Sequence, residues 1–392
     1  MDRKARRIEG GEAKGTMGGK PLAVTAGALM LFLAFAPRAA MPYLLPPYLM
    51  AVGIERESFA LMQNVQLLVW GVSAILAGLL ADHGHARLVT ALAALLYASG
   101  LVLLATASHS SAVILGGGVL AGIGLGGTTF PVVFAALASG PVRRRLAIVT
   151  AAAALSALFV TPAVQGVLIE AGARATLLTL AAGVALIAPL ALLLSPPSSH
   201  PPAPETIKGR SLILAILVVG AAVSGFQTGL FSATLGVTLS DHGLAVEVIV
   251  TALLLLNLFN VAGAALTVTG APLRRLSLVF LLRAIAFAAL LWLPLTPVVV
   301  LGAASVAGLV WFAALPLAIA AISELYGTRS IGFMTGILVC GWQAGAYAAV
   351  LFAVDTYGWW GNYDRAFESA FGLALALALG YAAAHRGTHQ TR

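Results

Sequence analysis

The chain has 392 residues, 60% of them apolar and only 9% charged, with a mean hydropathy of +0.99. A soluble domain carries about 25% charged residues, so there is too little charge here to cover a water-facing surface. Soluble enzymes, disordered regulators and secreted disulfide scaffolds are excluded together. The net charge of +8 would suggest nucleic acid in a soluble chain, but in a bilayer protein the question is which side each charge falls on. The single cysteine, Cys340, permits no intrachain disulfide and reads as a small buried hydrophobe. No P-loop, zinc-ligand cluster or dinucleotide fingerprint is present, so no cofactor, metal or nucleic-acid partner is expected.

Residues 1–21, rich in Gly, Lys and Arg, are too polar for a signal peptide and read as a disordered cytoplasmic tail. A helix needs about 20 mostly apolar residues to cross the hydrocarbon. Twelve such runs follow, over 22–49, 58–81, 88–107, 111–138, 146–169, 175–194, 212–239, 248–270, 276–293, 297–322, 331–354 and 366–384. The expected fold class is an all-α membrane protein with twelve transmembrane helices in two six-helix bundles, 22–194 and 212–384. Between them the Pro/Ser stretch 195–211 cannot be helical and reads as a cytoplasmic linker, and 385–392 is a second cytoplasmic tail. If the N-terminus is inside, 17 of the 22 Lys and Arg residues fall on the cytoplasmic side. The outer loops hold only Arg56, Arg174 and Arg365, and Arg38 and Arg283 lie within spans. That bias places both termini in the cytoplasm and the chain in the inner membrane.

The two halves echo each other. GLLADHGHAR at 78–87 corresponds in position to TGAPLRR at 269–275, and the Arg143–Arg145 turn corresponds to the turn around Arg329. Internal repeats with a site between them are how secondary transporters are built. The turn containing Gly78, Asp82, His83 and Arg87 resembles the G-x-x-x-D-(R/K)-x-G-x-(K/R) signature of the major facilitator superfamily, with the glycine after the aspartate moved to Gly84 and His85 in its place. PRAAMPYLLPPYLM at 37–50, NVQLLVWG at 64–71, GIGLGGTTFPVV at 122–133, GFQTGLFSATL at 225–235, WQAG at 342–345 and YDRAF at 363–367 resemble the bacterial monocarboxylate and oxalate–formate exchanger branch. The resemblance implies a carrier working by alternating access, with Arg38 matching a cavity-lining lysine and Asp82 and Arg87 acting as a cytoplasmic gate. Three positions depart from the pattern. Leu256 and Asn260 stand where the animal carriers have an Asp and an Arg, and Leu235 stands where related bacterial chains have a His.

An ionised side chain at mid-bilayer costs roughly 3 kcal/mol on insertion scales, which makes each one a functional hypothesis. Arg38 lies about 24 Å beyond the cytoplasmic start of a Pro-interrupted helix, too deep to snorkel inward, and its planar guanidinium suits bidentate contact with a carboxylate. The plainer reading is that it satisfies backbone carbonyls freed by Pro37 and Pro42. Arg283, about 10 Å inside its span, is read either as anion-binding or as snorkelling inward or pairing between helices. Gln227, Asn257, Asn260, Gln343 and Tyr347 complete the expected substrate-binding set. The alternative for each is an interhelical hydrogen bond worth about 0.6 kcal/mol. Trp70, Trp311 and Trp342 either cover an apolar part of the substrate or fill the bundle. No Asp, Glu or His occupies the middle third of any span, which disfavours cationic substrates.

The sequence therefore points to a secondary transporter, not an enzyme, whose partners are the lipid bilayer and a small organic anion of monocarboxylate type, acting as a monomer. The alternatives are a carrier of a neutral metabolite or amphiphilic drug, and a membrane receptor or scaffold that does not transport.

Overall fold

The computed structural model describes residues 19–138, 142–194 and 210–390. The expected tail over 1–18, the start of the Arg143 turn at 139–141, the linker over 195–209 and the last two residues lie outside the described residues. All regular structure among the described residues is helical. Ten runs are long and apolar enough to cross a membrane: α1 (Pro21–Met50), α2 (Arg56–Thr106), α3 (Ser110–Ala136), α4 (Val142–Ala191), α5 (Ser211–Asp241), α6 (Val246–Thr267), α7 (Pro272–Trp292), α8 (Pro297–Tyr326), α9 (Ile331–Trp360) and α10 (Asp364–Gly387). The sequence predicts twelve separate spans. The difference arises because 58–81 and 88–107 share α2, and 146–169 and 175–194 share α4. These two runs are 51 and 50 residues long. Each leaves helical geometry once, α2 at Gly84 (φ 90°) and α4 at Gly172 (φ 79°), a backbone state that glycine adopts without a Cβ penalty.

Other runs are broken in place. α1 lies within a 34-residue helix, Gly19–Val52, that contains Pro37, Pro42, Pro46 and Pro47. Each proline lacks an N–H and so frees the carbonyl four residues before it; Pro42 frees that of Arg38. In α3 the buried Gly116, Gly117 and Gly118 lie in a wide π-type turn, Ile114–Leu120. α3 breaks again at Thr129 before restarting at Phe130–Ala136, with Pro131 in the first turn, where a missing N–H costs nothing. α8 splits into Pro297–Leu309 and Ala314–Tyr326, leaving residues 310–313 outside both helices.

The N- and C-terminal halves of the chain meet along two seams. The Arg56–Leu80 part of α2 packs on α9, and α4 packs on α6. At the first seam the contact is backbone on backbone, since a Cβ added at Gly78 would overlap the Gly332 carbonyl and one at Gly332 would crowd both the Gly78 carbonyl and the Asp82 carboxylate. The same seam carries a helix cap supplied by the other half of the chain. Asp82 Oδ1 accepts from the Gly332 amide at 2.9 Å and Oδ2 from the Phe333 amide at 2.8 Å, in the first turn of α9, where N–H groups have no intrahelical acceptor. The carboxylate also meets the positive end of that helix dipole.

Gly332→Leu is accordingly expected to wedge this end apart. Spin-label distances between cysteines introduced at His85 and Arg329 should lengthen in Gly332→Leu relative to the unsubstituted Gly332 protein, and unchanged distances would show that the seam tolerates bulk.

Candidate functional site

A cavity of about 630 Å³ lies between the two halves. Arg56, Phe59 and Leu45 line one end of it, and Phe35, Trp70, Phe130, Phe312 and Trp342 line the other as an aromatic floor. From Arg56 to Trp70 the helix rises about 21 Å. The opposite end is closed. There Asp82 caps α9, and Arg143 of α4 forms an ion pair with Glu324 of α8 while donating to the Gly270 carbonyl at 2.5 Å. The floor rings belong to both halves: Phe35 lies 5.5 Å from Phe130 and 5.9 Å from Phe312, and Phe312 lies 5.8 Å from Trp342. Among the described residues, Arg38 and Arg56 are the only charged ones lining the cavity.

Arg38 is presented by α1, and its orientation is set by α2. Its Nη1 donates to Gln66 Oε1 at 2.8 Å, and Gln66 is itself fixed because its Nε2 donates to the Gly117 carbonyl in the π-type turn at 2.7 Å. The guanidinium lies 5.7 Å from the Trp70 ring, a cation–π distance. Its other edge, Nε and Nη2, has no hydrogen-bond partner among the described residues. That edge is the pair of parallel donors a carboxylate takes bidentately.

The structure divides the remaining sequence-predicted residues into two groups. Asn257, Asn260 and Gln343 line the cavity with Arg38. Gln343, only 6% exposed, has no side-chain hydrogen bond among the described residues, and neither do Gln63 and Asn64 on the opposite wall. Gln227, Tyr347 and Arg283 are not in the lining. Gln227 donates to the Ala370 carbonyl at 2.8 Å and accepts from Arg283.

Arg283 is 4% exposed and does not snorkel. Its Nη1 donates to Ser224 Oγ at 2.5 Å and Gln227 Oε1 at 3.1 Å, and its Nη2 to the carbonyls of Val310 at 3.0 Å and Trp311 at 2.7 Å. Those carbonyls belong to the break in α8. The amide of Phe312 in the same break is satisfied by Asn260 Oδ1 at 3.2 Å. Arg283 and Asn260 thus hold open the turn that places Trp311 and Phe312 in the cavity wall. Of the expected gate pair, Asp82 reaches the other half, whereas Arg87 donates to the Leu194 carbonyl at 2.8 Å within its own half.

Sequence reasoning missed three features: the Arg143–Glu324 pair, the aromatic floor and the break in α8. For the break a signal was present. Pro316 cannot donate to the carbonyl of Phe312, so the helix has reason to begin after it.

The family model for the Major Facilitator Superfamily matches residues 27–350. A search of curated protein sequences gives no significant match. Among solved structures, the chain is similar to the human organic anion transporter MFSD10 (TETRAN), with a TM-score of 0.72 and 18% identity over 92% of this chain and 99% of that one. It is also similar to the E. coli fucose:proton symporter FucP, with a TM-score of 0.70 and 17% identity over 92% and 98%. A structure of FucP in the outward conformation gives a TM-score of 0.71 at 16% identity, again over 92% and 98%.

The two intramembrane arginines should respond differently to truncation. Arg283→Ala strands two backbone carbonyls away from water, each unsatisfied group costing about 1–3 kcal/mol, and is expected to lower the thermal unfolding temperature of detergent-purified protein substantially. Arg38→Ala, beside a wet cavity, should lower it less. A reversed order would show that Arg283 is not what holds the break in α8.

Proposed function

Because the chain belongs to the Major Facilitator Superfamily, a superfamily of transporters, we propose that it is a secondary transporter carrying a small organic anion by alternating access. In this reading α2 and α4 each cross the membrane twice, reversing at Gly84 and Gly172, so that the chain makes twelve crossings in two six-helix bundles, 22–194 and 212–384. The excess of Lys and Arg at the Asp82 end and in the termini puts that end in the cytoplasm. The cavity then faces outward.

The observation that carries the substrate class is the guanidinium of Arg38, held by Gln66 with its Nε–Nη2 edge unbonded and no Asp or Glu lining the cavity among the described residues. An ammonium-bearing or cationic ligand would find no counter-charge there, whereas a carboxylate would gain a charge-assisted bidentate contact. The segments resembling the monocarboxylate and oxalate–formate branch support the same class. Of the structurally similar carriers, one is described as an organic anion transporter and another as a fucose:proton symporter. At 17–18% identity the likeness concerns the fold, and Arg38 is what favours the anion. Asn257, Asn260 and Gln343 are the neutral polar contacts of the proposed site. Arg283 and Gln227 act behind it by supporting the wall.

Coupling follows from the same charges. Neither arginine releases a proton at working pH, and an empty site carrying an unpaired cation resists reorientation. A bound anion removes that resistance.

Uptake of a radiolabelled carboxylate into proteoliposomes tests the reading. Arg38→Ala is expected to abolish both uptake and ligand-induced thermal stabilisation, with Arg38→Lys retaining a fraction because the fork is lost. Transport undiminished in Arg38→Ala would favour a neutral or amphiphilic substrate. In counterflow, exchange should outrun net uptake. Equal rates with a steep pH dependence for a substrate that does not titrate would reveal a protein-borne proton carrier.

A further inference from the structure

The cavity constrains more than the sign of the ligand's charge. We propose that the ligand is an aryl monocarboxylate: one carboxylate on the free edge of Arg38, a flat ring against the aromatic floor, and a polar ring substituent at Gln343. The proposal rests on Arg38 being the anion site described above.

The number of carboxylates follows from the spacing of the cations. Arg38 is bonded to Gln66 of α2, and the other lining cation, Arg56, begins α2 ten residues before Gln66, a backbone rise of about 15 Å. A compact dicarboxylate held at Arg38 therefore has no second cation at the level of Gln66. Its second charge would be left in the cavity facing only amides, hydroxyls and rings, so a single deep charge is what the site neutralises.

The ring follows from what surrounds that charge. Trp70, within 5.7 Å of the guanidinium, touches Phe35 at 5.9 Å, and Phe35 continues to Phe130 and to Phe312 of the other half. A carboxylate held by Arg38 therefore carries its body over a surface of rings. Offset or edge-on ring contacts there exceed what the same buried area of an aliphatic chain would give. A cavity of about 630 Å³ is also far larger than a two- or three-carbon acid needs. With no carboxylate lining it, an α-ammonium group has no ionic partner, which separates aryl acids from aromatic amino acids. Finally, Gln343 lines the cavity and has no side-chain hydrogen bond among the described residues. Its amide is available there to a ligand group that can both donate and accept.

The test is isothermal titration of the purified full-length protein with 4-hydroxyphenylacetate, phenylacetate, propionate and L-tyrosine, on wild type and on Arg38→Ala. For wild type we expect 4-hydroxyphenylacetate to bind at least about tenfold more tightly than propionate, with phenylacetate between them and no binding of L-tyrosine. In Arg38→Ala all binding should be lost. Gln343→Leu should bring 4-hydroxyphenylacetate down to phenylacetate, and Phe312→Leu should narrow the ratio of phenylacetate to propionate. Propionate binding as tightly as the aryl acids, with both lost in Arg38→Ala, would overturn the aryl assignment while leaving the anion site intact. L-tyrosine binding as tightly as 4-hydroxyphenylacetate would likewise overturn the exclusion of amino acids. No carboxylate binding to wild type, or equal binding to wild type and Arg38→Ala, would overturn the anion site and the aryl proposal with it.

Discussion

A backbone amide or carbonyl in hydrocarbon has no water to turn to, and leaving one unpaired costs several kcal/mol. Continuous helix satisfies every such group locally. This chain departs from continuous helix at the π-type turn of α3, at residues 310–313 of α8 and at the α2 kink beside the start of α9. At each place a polar side chain supplies the missing partner. Gln66 donates to Gly117, Arg283 donates to Val310 and Trp311, Asn260 accepts from Phe312, and Asp82 accepts from Gly332 and Phe333. The polar residues within the spans are thereby sorted by backbone engagement: Arg283 and Gln227 bond backbone away from the cavity, Asn260 and Asn257 bond backbone while lining it, and Gln343 lines it without a side-chain hydrogen bond among the described residues.

That sorting explains what could and could not be read from the sequence. Composition and run length were enough for the membrane class and for which stretches are helical, but not for the number of separate helices or the breaks within them. The glycine turn around Asp82 was legible as well, since its spacing is local. What was not legible is which intramembrane polar residue faces a cavity. Arg38 and Arg283 are both guanidiniums in apolar helices, and the prolines beside Arg38 do not by themselves say that it faces a cavity. Their difference lies in partners far off in sequence: Arg283 meets Ser224 and Gln227 on one side and the 310–311 carbonyls on the other. Arg38 meets one side chain and then open space. Arg143, read only as a contribution to orientation, turns out to hold Glu324 across the two halves, a pairing separated by 181 residues.

Glycine placement and the site are connected through the same seam. Where α2 and α9 touch at Gly78 and Gly332, backbones approach too closely for any side chain between them. The close approach continues to Gly71, where an added Cβ would lie 3.2 Å from the Cys340 backbone and 3.4 Å from Gln343 Cβ. Small residues at Gly71, Gly78, Gly332 and Gly336 thus hold the two helices together along a length that includes the level of Trp70 and Gln343, which also line the cavity.

The closure beyond the aromatic floor is made of few and separable parts. Two charge-assisted hydrogen bonds from Asp82 are each worth about 1.5–3 kcal/mol, and the ring contacts that cross between halves about 0.5–1.5 kcal/mol each. The half-exposed Arg143–Glu324 pair adds about 1 kcal/mol or less. Turning a two-state population from 1:99 to 99:1 takes roughly 5.5 kcal/mol, the same order as this set of contacts. If the proposed alternating access holds, a bound molecule can shift the Asp82-end closure only by the difference between its affinities for the two arrangements. A stronger clasp at this end would raise the affinity difference required, and a weaker one would leave both ends of the pathway open together.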